Sequence, residues 1–315
     1  MSFPFTRLPP ELALEVVRFA SAPDCDAPSA ALRPSYATAA SMAAVSYDMR
    51  RATMPHLLHT VILSTTDQTL SFIDSIILQK QFAASSSRLT LDYTKLVRRF
   101  WCTEVRARLM DDTDYTINYG ALYEIIRGVD SLGMDMTNCL HLLYGGLSSP
   151  QADPERDWTC RRLTFAGAHP RWNPLTSTLE GSILFSRITH LTLWISTDDD
   201  DVSEGQSRAP LWLKNVPFAS FRNLSHLAVL LPPKNDDTNT NPISPPEMLV
   251  CVAPASLARF EAQMLRERVS NDDIFAHGVV LPICNDYSVS RSEFWFMARE
   301  SEAAWAQMDR LRTDE

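Results

Sequence analysis

The sequence predicts an α/β fold with a mainly parallel sheet. Three observations lead to this fold class: strand-like runs alternate with helical stretches beyond residue 55, one stretch recurs farther along the chain, and 45% of the 315 residues are hydrophobic. Strands that alternate with helices usually pair in parallel through right-handed crossovers. A chain of this length and composition also buries enough surface to fold without a metal ion or disulfide bonds.

The charge and the residue usage disfavour several classes of function. A formal net charge of −9 disfavours general nucleic-acid binding, which needs clustered Lys and Arg to meet phosphates. Twenty prolines against nine glycines argue against glycine-rich loops that cradle phosphate groups. The six cysteines form no C-x-x-C pair, so we expect reduced thiols, no metal site and no cofactor.

The sequence shows no feature of export or of membrane insertion. The N-terminal stretch lacks a basic region followed by an apolar run, because Glu11, Glu15 and Arg18 interrupt it. No run of apolar residues is long enough to span a bilayer. We therefore expect a cytoplasmic or nuclear protein that binds neither a membrane nor nucleic acid.

Residues 1–57 are predicted to form a helical segment that precedes an α/β domain over residues 58–315. Pro9 and Pro10 suit the first turn of a helix, where their missing N–H groups would be unpaired anyway. Apolar residues then follow at helical spacing, namely Leu12, Val16 and Phe19. Residues 21–34 contain several prolines and aspartates and are predicted to form a loop.

A second helix is predicted from a cap at Ser35 to about Thr53. It has one apolar stripe that includes Tyr36 and Tyr47 and another formed by Met42, Val45 and Met49. A short helix with two apolar faces must bury one face in its own domain and the other elsewhere. The second face is therefore expected to contact either a partner protein or another part of the same chain.

Beyond the helical segment, short strands and helices are predicted to alternate. The predicted strands cover residues 60–63, 88–93, 131–136, 162–166, 189–195, 225–231 and 279–283. The predicted helices cover residues 66–80, 97–109, 117–127 and 138–147. Residues 291–312 are predicted to form a C-terminal capping helix, with Phe294, Trp305 and Met308 facing the last repeat. Two polar stretches, 196–210 and 231–246, are predicted to be projecting loops.

An internal repeat favours a stack of strand–helix units over an open doubly wound sheet. The stretch from Phe185 to Leu193 returns 36 residues later from Phe221 to Val229. Stacked units of this kind form an irregular leucine-rich-repeat-like solenoid, with the doubly wound sheet as the alternative. The repeat also places His190 and His226 at equivalent positions. We interpret them as a repeated structural residue that stacks one strand apart, in preference to a catalytic pair.

Sequence motifs of common enzyme classes are missing. No dinucleotide fingerprint, P-loop, serine-hydrolase elbow or zinc-protease helix motif occurs. The acidic run from Asp198 to Asp201 lacks the Gly and Glu that an EF-hand loop requires. The arginines beside Phe100 and Trp101 are predicted to face water on a helix, with the two aromatic residues buried. We therefore expect no catalytic residues and no enzymatic activity.

Two strings near the N-terminus carry a family resemblance. The first is Leu8-Pro9-Pro10-Glu11-Leu12-Ala13-Leu14-Glu15-Val16-Val17, and the second runs from Met42 through Val45-Ser46 and Arg50-Arg51 to Val61. The first resembles the opening of an F-box, in which Leu-Pro-x-Glu-Leu precedes an aliphatic helix. The second resembles the later part of that family, where Val-Ser or Val-Cys precedes an arginine-bearing helix. With the downstream repeat, the chain resembles fungal F-box proteins with a divergent leucine-rich-repeat-like domain.

This resemblance implies a non-enzymatic role in ubiquitin conjugation. Such a protein binds the Skp-type adaptor of a cullin–RING ubiquitin ligase and presents a captured protein substrate, and we expect a monomer outside that complex. The adaptor-binding residues that the resemblance implies are Leu8, Pro9, Leu12, Val16, Val45 and Met49. The main alternative is a stand-alone protein-interaction solenoid whose F-box-like segment no longer binds an adaptor. An enzyme of unrecognised α/β type would instead need a polar pocket with displaced pKa values.

Overall fold

The computed structural model describes most of the N-terminal two thirds of the chain and shorter pieces beyond. The described residues are 8–21, 36–102, 118–135, 139, 158–167, 172–195, 211–231, 247–252, 279–282, 302, 304–306 and 309–310. Their helices are α1 (Pro10–Ser21), α2 (Ala37–Ala43), α3 (Tyr47–His59), α4 (Thr66–Ala84), α5 (Tyr93–Leu96), α6 (Tyr119–Ile126), α7 (Trp172–Thr176) and α8 (Leu179–Arg187). Short 3-10 helices cover Leu211–Asn215 and Phe218–Ser220.

The strands form one sheet in which each strand lies beside its predecessor in the sequence. They are β1 (Thr60–Leu63), β2 (Arg99–Cys102), β3 (Ser131–Asp135), β4 (Arg162–Gly167), β5 (His190–Ile195), β6 (His226–Leu231), β7 (Glu247–Val252) and β8 (Val279–Pro282). Strands β1 to β6 are parallel to their neighbours. Strands β7 and β8 continue the sheet as antiparallel neighbours. The predicted α/β class with a mainly parallel sheet is confirmed.

One face of this sheet builds the hydrophobic core together with the helices. Successive side chains of a strand point to opposite faces of the sheet, so Val61 and Leu63 lie on the same face. Their register partners in β2 lie on that face too. Buried residues of α4, α6 and α8, such as Ile73, Ile125 and Phe185, belong to the same cluster. The strand residues on this face are Phe100, Cys102, Leu132, Met134, Leu163, Phe165, Leu191, Leu193, Leu227 and Val229.

The opposite face of the sheet, here called the polar face, carries a different set of side chains. Its first row runs in register across β1 to β6 as Thr60, Arg99, Ser131, Arg162, His190 and His226. In the next row Trp101, Thr164 and Thr192 are buried. The polar face is therefore covered across its middle, and the helical residues Glu302, Trp305 and Asp309 near the C-terminus contact it.

The internal repeat places equivalent side chains directly on top of one another. Leu191 pairs in register with Leu227, as the sequence alignment of the two stretches requires. The rings of Phe185 and Phe221 stack with their centroids 4.7 Å apart. The rings of His190 and His226 stack at 4.0 Å with an angle of 5° between their planes. The predicted stacking of the two histidines one strand apart is confirmed.

The N-terminal helices differ from the prediction in one respect. The single helix expected over 35–53 is two helices, α2 and α3, separated by residues 44–46. The hydroxyl of Ser46 accepts a hydrogen bond from the backbone N–H of Met49 at 3.2 Å and so caps a new helix. Helices α1, α2 and α3 pack against one another, and α3 leads directly into β1. The prediction of a single helix was wrong because the cap at Ser46 starts a new helix, although the apolar stripe continues past it.

Two further elements between residues 88 and 109 were also predicted wrongly. Of the helix expected over 97–109, residues 103–109 lie outside the described residues, and residues 99–102 form strand β2 instead, in which Phe100, Trp101 and Cys102 are buried in succession. A central strand of a parallel sheet is buried on both faces, and its apolar run then resembles that of a buried helix. The expected strand over 88–93 is irregular up to Asp92, whose carboxylate caps α5. Strand β7 was not predicted.

Several predicted features lie outside the described residues. They include the helix over 138–147 apart from Cys139, the loop over 196–210, and the loop over 231–246 apart from Leu231. Phe294 and Met308 also lie outside them. Trp305 is described, and it packs over β5 and β6 through His190 and His226. The capping of the last repeat stays a prediction.

Candidate interaction surfaces

The residues predicted to bind an adaptor lie in the three N-terminal helices with unequal exposure. Leu12 and Val16 of α1 are 54% and 40% exposed, and Val45, between α2 and α3, is 71% exposed. Pro9 is exposed, whereas Leu8 and Met49 are half-buried. The three most exposed of the apolar candidates therefore come from α1 and from the turn that precedes α3.

Helix α1 exposes four large apolar side chains. Leu12, Val16 and Phe19 lie at helical spacing on one side, and Phe19 is 75% exposed. Leu14 is also exposed, whereas Val17 faces the other helices and is buried. Clustered exposed apolar side chains on a soluble protein mark interaction sites. We call Leu12, Leu14, Val16, Phe19 and Val45 the apolar set.

A basic cleft that was not predicted from the sequence lies between α3 and the turn before α5. It has a volume of about 290 Å³ and is lined by Tyr47, Arg50, Arg51 and residues 88–91. The guanidinium of Arg88 lies over the ring of Tyr47, 5.1 Å from its centroid, in a cation–π contact. The adjacent Arg50 and Arg51 are the only signal of this cleft that the sequence offers. Arg88 is too distant from them along the chain for a local sequence pattern to show that it joins them.

On the polar face, the histidine stack is held by hydroxyl groups and by the C-terminal residues. Nδ1 of His190 lies 2.8 Å from the hydroxyl oxygen of Thr189, and Nδ1 of His226 lies 2.8 Å from that of Ser225. Nε2 of His226 lies 3.3 Å from the carboxylate of Asp309. Burial, with smaller contributions from the nearby His226 and Arg162, lowers the pKa of His190 to about 4.

The linear contact from Ser225 through His226 to Asp309 has the order of a catalytic triad, but its details indicate a structural role. The hydroxyl of Ser225 donates to the carbonyl oxygen of Thr189 at 3.1 Å. The preceding repeat shows the same hydroxyl–imidazole contact between Thr189 and His190. A contact that recurs in consecutive strands fits packing of the repeat better than activation of a single nucleophile.

The half-buried carboxylate of Glu180 links α6, α8 and the segment before β4. Oε2 of Glu180 accepts hydrogen bonds from the hydroxyl of Tyr123 at 2.5 Å and from Nε1 of Trp158 at 3.0 Å. Burial and the hydrogen bond to Glu180 raise the pKa of Tyr123. Both donors are buried inside the core cluster. The arrangement holds two helices in place and leaves the tyrosine as a neutral donor.

The described residues contain no group of three or more His, Cys, Asp or Glu side chains able to hold a metal ion. Cys102, Cys139 and Cys160 are free thiols and are buried, as predicted for these three. Burial raises the pKa of Cys160 to about 12, so it is protonated and unreactive at neutral pH. Within the described part of the chain, no helix is long and apolar enough to cross a membrane.

Comparison with known proteins places this chain in no family. No protein-family model, no curated protein and no solved structure matches it. The resemblance of residues 8–17 and 42–61 to an F-box therefore stays a prediction. Functional inference depends on the apolar set and the polar face.

Proposed function

We propose that this chain is a non-enzymatic substrate receptor. Its N-terminal helices dock on a Skp-type adaptor of a cullin–RING ubiquitin ligase, and its sheet domain presents a protein substrate. The observation that carries the proposal is the 71% exposure of Val45, together with the exposed Leu12 and Val16 of α1. Apolar anchors that are exposed in the free protein and buried in a complex supply most of the energy of such interfaces.

The architecture supports the substrate-presenting part of the proposal. Six parallel strands follow one another in sequence order, and the 36-residue repeat spans β5 and β6. Consecutive strand–helix units stacked in this way are the organisation of leucine-rich-repeat-like solenoids, which present extended binding surfaces. A receptor of this class acts as a monomer outside its complex and works in the cytoplasm or the nucleus.

One observation favours the alternative, a stand-alone protein-interaction module. Met49 is half-buried, and its backbone N–H donates to Ser46 in the first turn of α3. A methionine already packed within the helical unit offers less surface to an adaptor. In this alternative the sheet domain still binds a protein, but the apolar set contributes nothing to a ligase.

A calorimetric titration against a fungal Skp-type adaptor tests the proposal. Leu12→Asp and Val45→Asp each place a carboxylate where the interface must bury it, so we expect micromolar binding to be lost. Leu179→Asp is the matched control, because Leu179 is 73% exposed on α8, outside the N-terminal helices.

The proposal requires that the control variant bind like the wild type. All variants should keep the circular-dichroism spectrum of the folded protein, since the substituted side chains are exposed. A folded wild-type protein that does not bind the adaptor would contradict the receptor role and favour the stand-alone module.

A further inference from the structure

The polar face has the charge pattern of a binding surface for an acidic segment. Arg99 on β2 and Arg162 on β4 occupy the same register row as the histidine stack on β5 and β6. Arginine stays charged at all physiological pH values and pairs with carboxylates through its planar fork. The row therefore presents two fixed positive charges and, beside them, a flat aromatic surface made by two imidazole rings.

The chain itself supplies a segment that matches this pattern. The helical residues Glu302, Trp305 and Asp309 are spaced three and four residues apart, which places them on one side of a helix. Oε2 of Glu302 lies 3.2 Å from the guanidinium of Arg99, and Oε1 lies 4.0 Å from that of Arg162. The described residues 302, 304–306 and 309–310 are here called the C-terminal strap.

The aromatic residue of the strap lies on the histidine stack. The ring of Trp305 contacts His190 edge-on with centroids 5.0 Å apart, and His226 with centroids 5.8 Å apart. Trp305 is 4% exposed. Asp309 follows at the far side of the stack, within 3.3 Å of Nε2 of His226. Glu302 thus meets the arginines of β2 and β4, and Trp305 meets the imidazole rings of β5 and β6. Asp309 meets the imidazole nitrogen of His226 on β6.

The strap is an incomplete ligand for the surface that it covers. Nε1 of Trp305 is buried without a hydrogen-bond partner among the described residues, and Oε1 of Glu302 is buried with only the long 4.0 Å ion pair to Arg162. Buried polar atoms are normally paired, so these two weaken the attachment of the strap. A segment that satisfies both atoms would bind the same surface more tightly than the strap does.

We propose that the polar face is a binding site for an acidic, tryptophan-anchored helical segment of a partner protein, and that the strap occupies this site until the partner displaces it. The inference names the substrate class of the proposed receptor and in that sense rests on the proposed function. Binding of the partner then competes with the intramolecular contact of the strap. The strap therefore lowers the apparent affinity of every ligand, so that only tight ligands displace it.

The probe for this site is a labelled synthetic peptide with the sequence of residues 299–312, measured by fluorescence anisotropy against the full chain. A full-length variant with Trp305→Ala and Asp309→Asn has a weakened strap and a vacated surface. We expect it to bind the peptide at least about tenfold more tightly than the wild type. A peptide carrying Glu302→Arg and Asp309→Arg should not bind, since its added positive charges repel Arg99 and Arg162 and the carboxylate that meets His226 is lost.

Two arginine variants made in the weakened-strap background distinguish this site from non-specific attraction. Arg162→Glu reverses a charge on the polar face and should weaken binding at least about tenfold. Arg161→Glu is the matched control, because Arg161 is exposed and lies one residue earlier, so that its side chain leaves the opposite side of the chain. Equal binding by the two variants would overturn the proposal, as would equal binding by the weakened-strap variant and the wild type.

Hydrogen exchange provides a readout that needs no substitution. With millimolar peptide added to the unaltered chain, the amides of residues 304–306 should exchange faster as the strap is displaced. Unchanged exchange at full peptide occupancy would contradict the displacement. Neither experiment contains an adaptor, so its outcome is independent of whether the N-terminal helices bind one.

Discussion

At the scale of single residues, Glu180 is a polar group whose loss should destabilise the folded state. Replacing it by leucine leaves the hydroxyl of Tyr123 and Nε1 of Trp158 buried without their acceptor. We expect Glu180→Leu to lower the free energy of unfolding by about 2–4 kcal/mol, measured by urea denaturation. Glu180→Gln keeps an acceptor oxygen and should lose less. A Glu180→Leu variant as stable as the wild type would show that the two donors find other partners.

His190 makes the stability of the protein depend on pH. Its folded-state pKa of about 4 lies below the ordinary value of 6.5 because the ring is buried beside His226 and Arg162. Between about pH 4 and pH 6.5, the unfolded chain therefore binds a proton at His190 that the folded chain does not bind. The stabilising contribution is complete above pH 6.5 and is lost as the pH falls towards 4.

Calorimetric melting temperatures between pH 7 and pH 4 test this dependence. The wild type should lose stability more steeply on acidification than His190→Asn, which has no proton to gain. If the melting temperatures of both proteins fell equally with pH, the acid sensitivity would have to come from other groups. The neighbours that bear on the pKa of His190 are His226, Arg162 and Asp309, and the His190→Asn substitution leaves all three in place.

At the scale of elements, the cap of α3 determines where Val45 lies. Ser46 ends the connection from α2 and accepts the N–H of Met49, so that Val45 is in the turn. Ser46→Ala should destabilise the protein by about 1 kcal/mol in a denaturant titration. Ser182→Ala, at an exposed position within α8, is the control and should cause no loss, because alanine favours a helix interior. A larger loss at Ser182 than at Ser46 would contradict the capping role.

Elements with a clear boundary signal were the ones that the sequence predicted well. Strand β1 was predicted with its observed bounds, and β5 and β6 began one residue later than expected. Strand β2 was missed because Phe100, Trp101 and Cys102 are buried in succession and show no alternation. The break between α2 and α3 was missed because a single capping hydroxyl outweighed a continuous apolar pattern.

At the scale of the whole molecule, the two interaction surfaces differ in how far the sequence could reveal them. Leu12, Val16 and Val45 of the apolar set lie within short strings whose spacing is visible in the sequence, and all three are exposed. The strap is different, since His226 and Asp309 are 83 residues apart in the sequence. No local periodicity encodes a contact of that span, so only the folded chain shows that Trp305 meets the histidine stack.

The sequence-order arrangement of the strands has a consequence for how the molecule folds. When each strand pairs with its predecessor, each strand–helix unit contacts chiefly the neighbouring units, and folding can start in one unit and spread outward. A one-dimensional array of this kind tends to lose its end units first. The strap joins β2 to β4, β5 and β6 at once, through Arg99, Arg162 and the two histidines. These contacts couple units that are not neighbours in the stack, so we expect those units to unfold together.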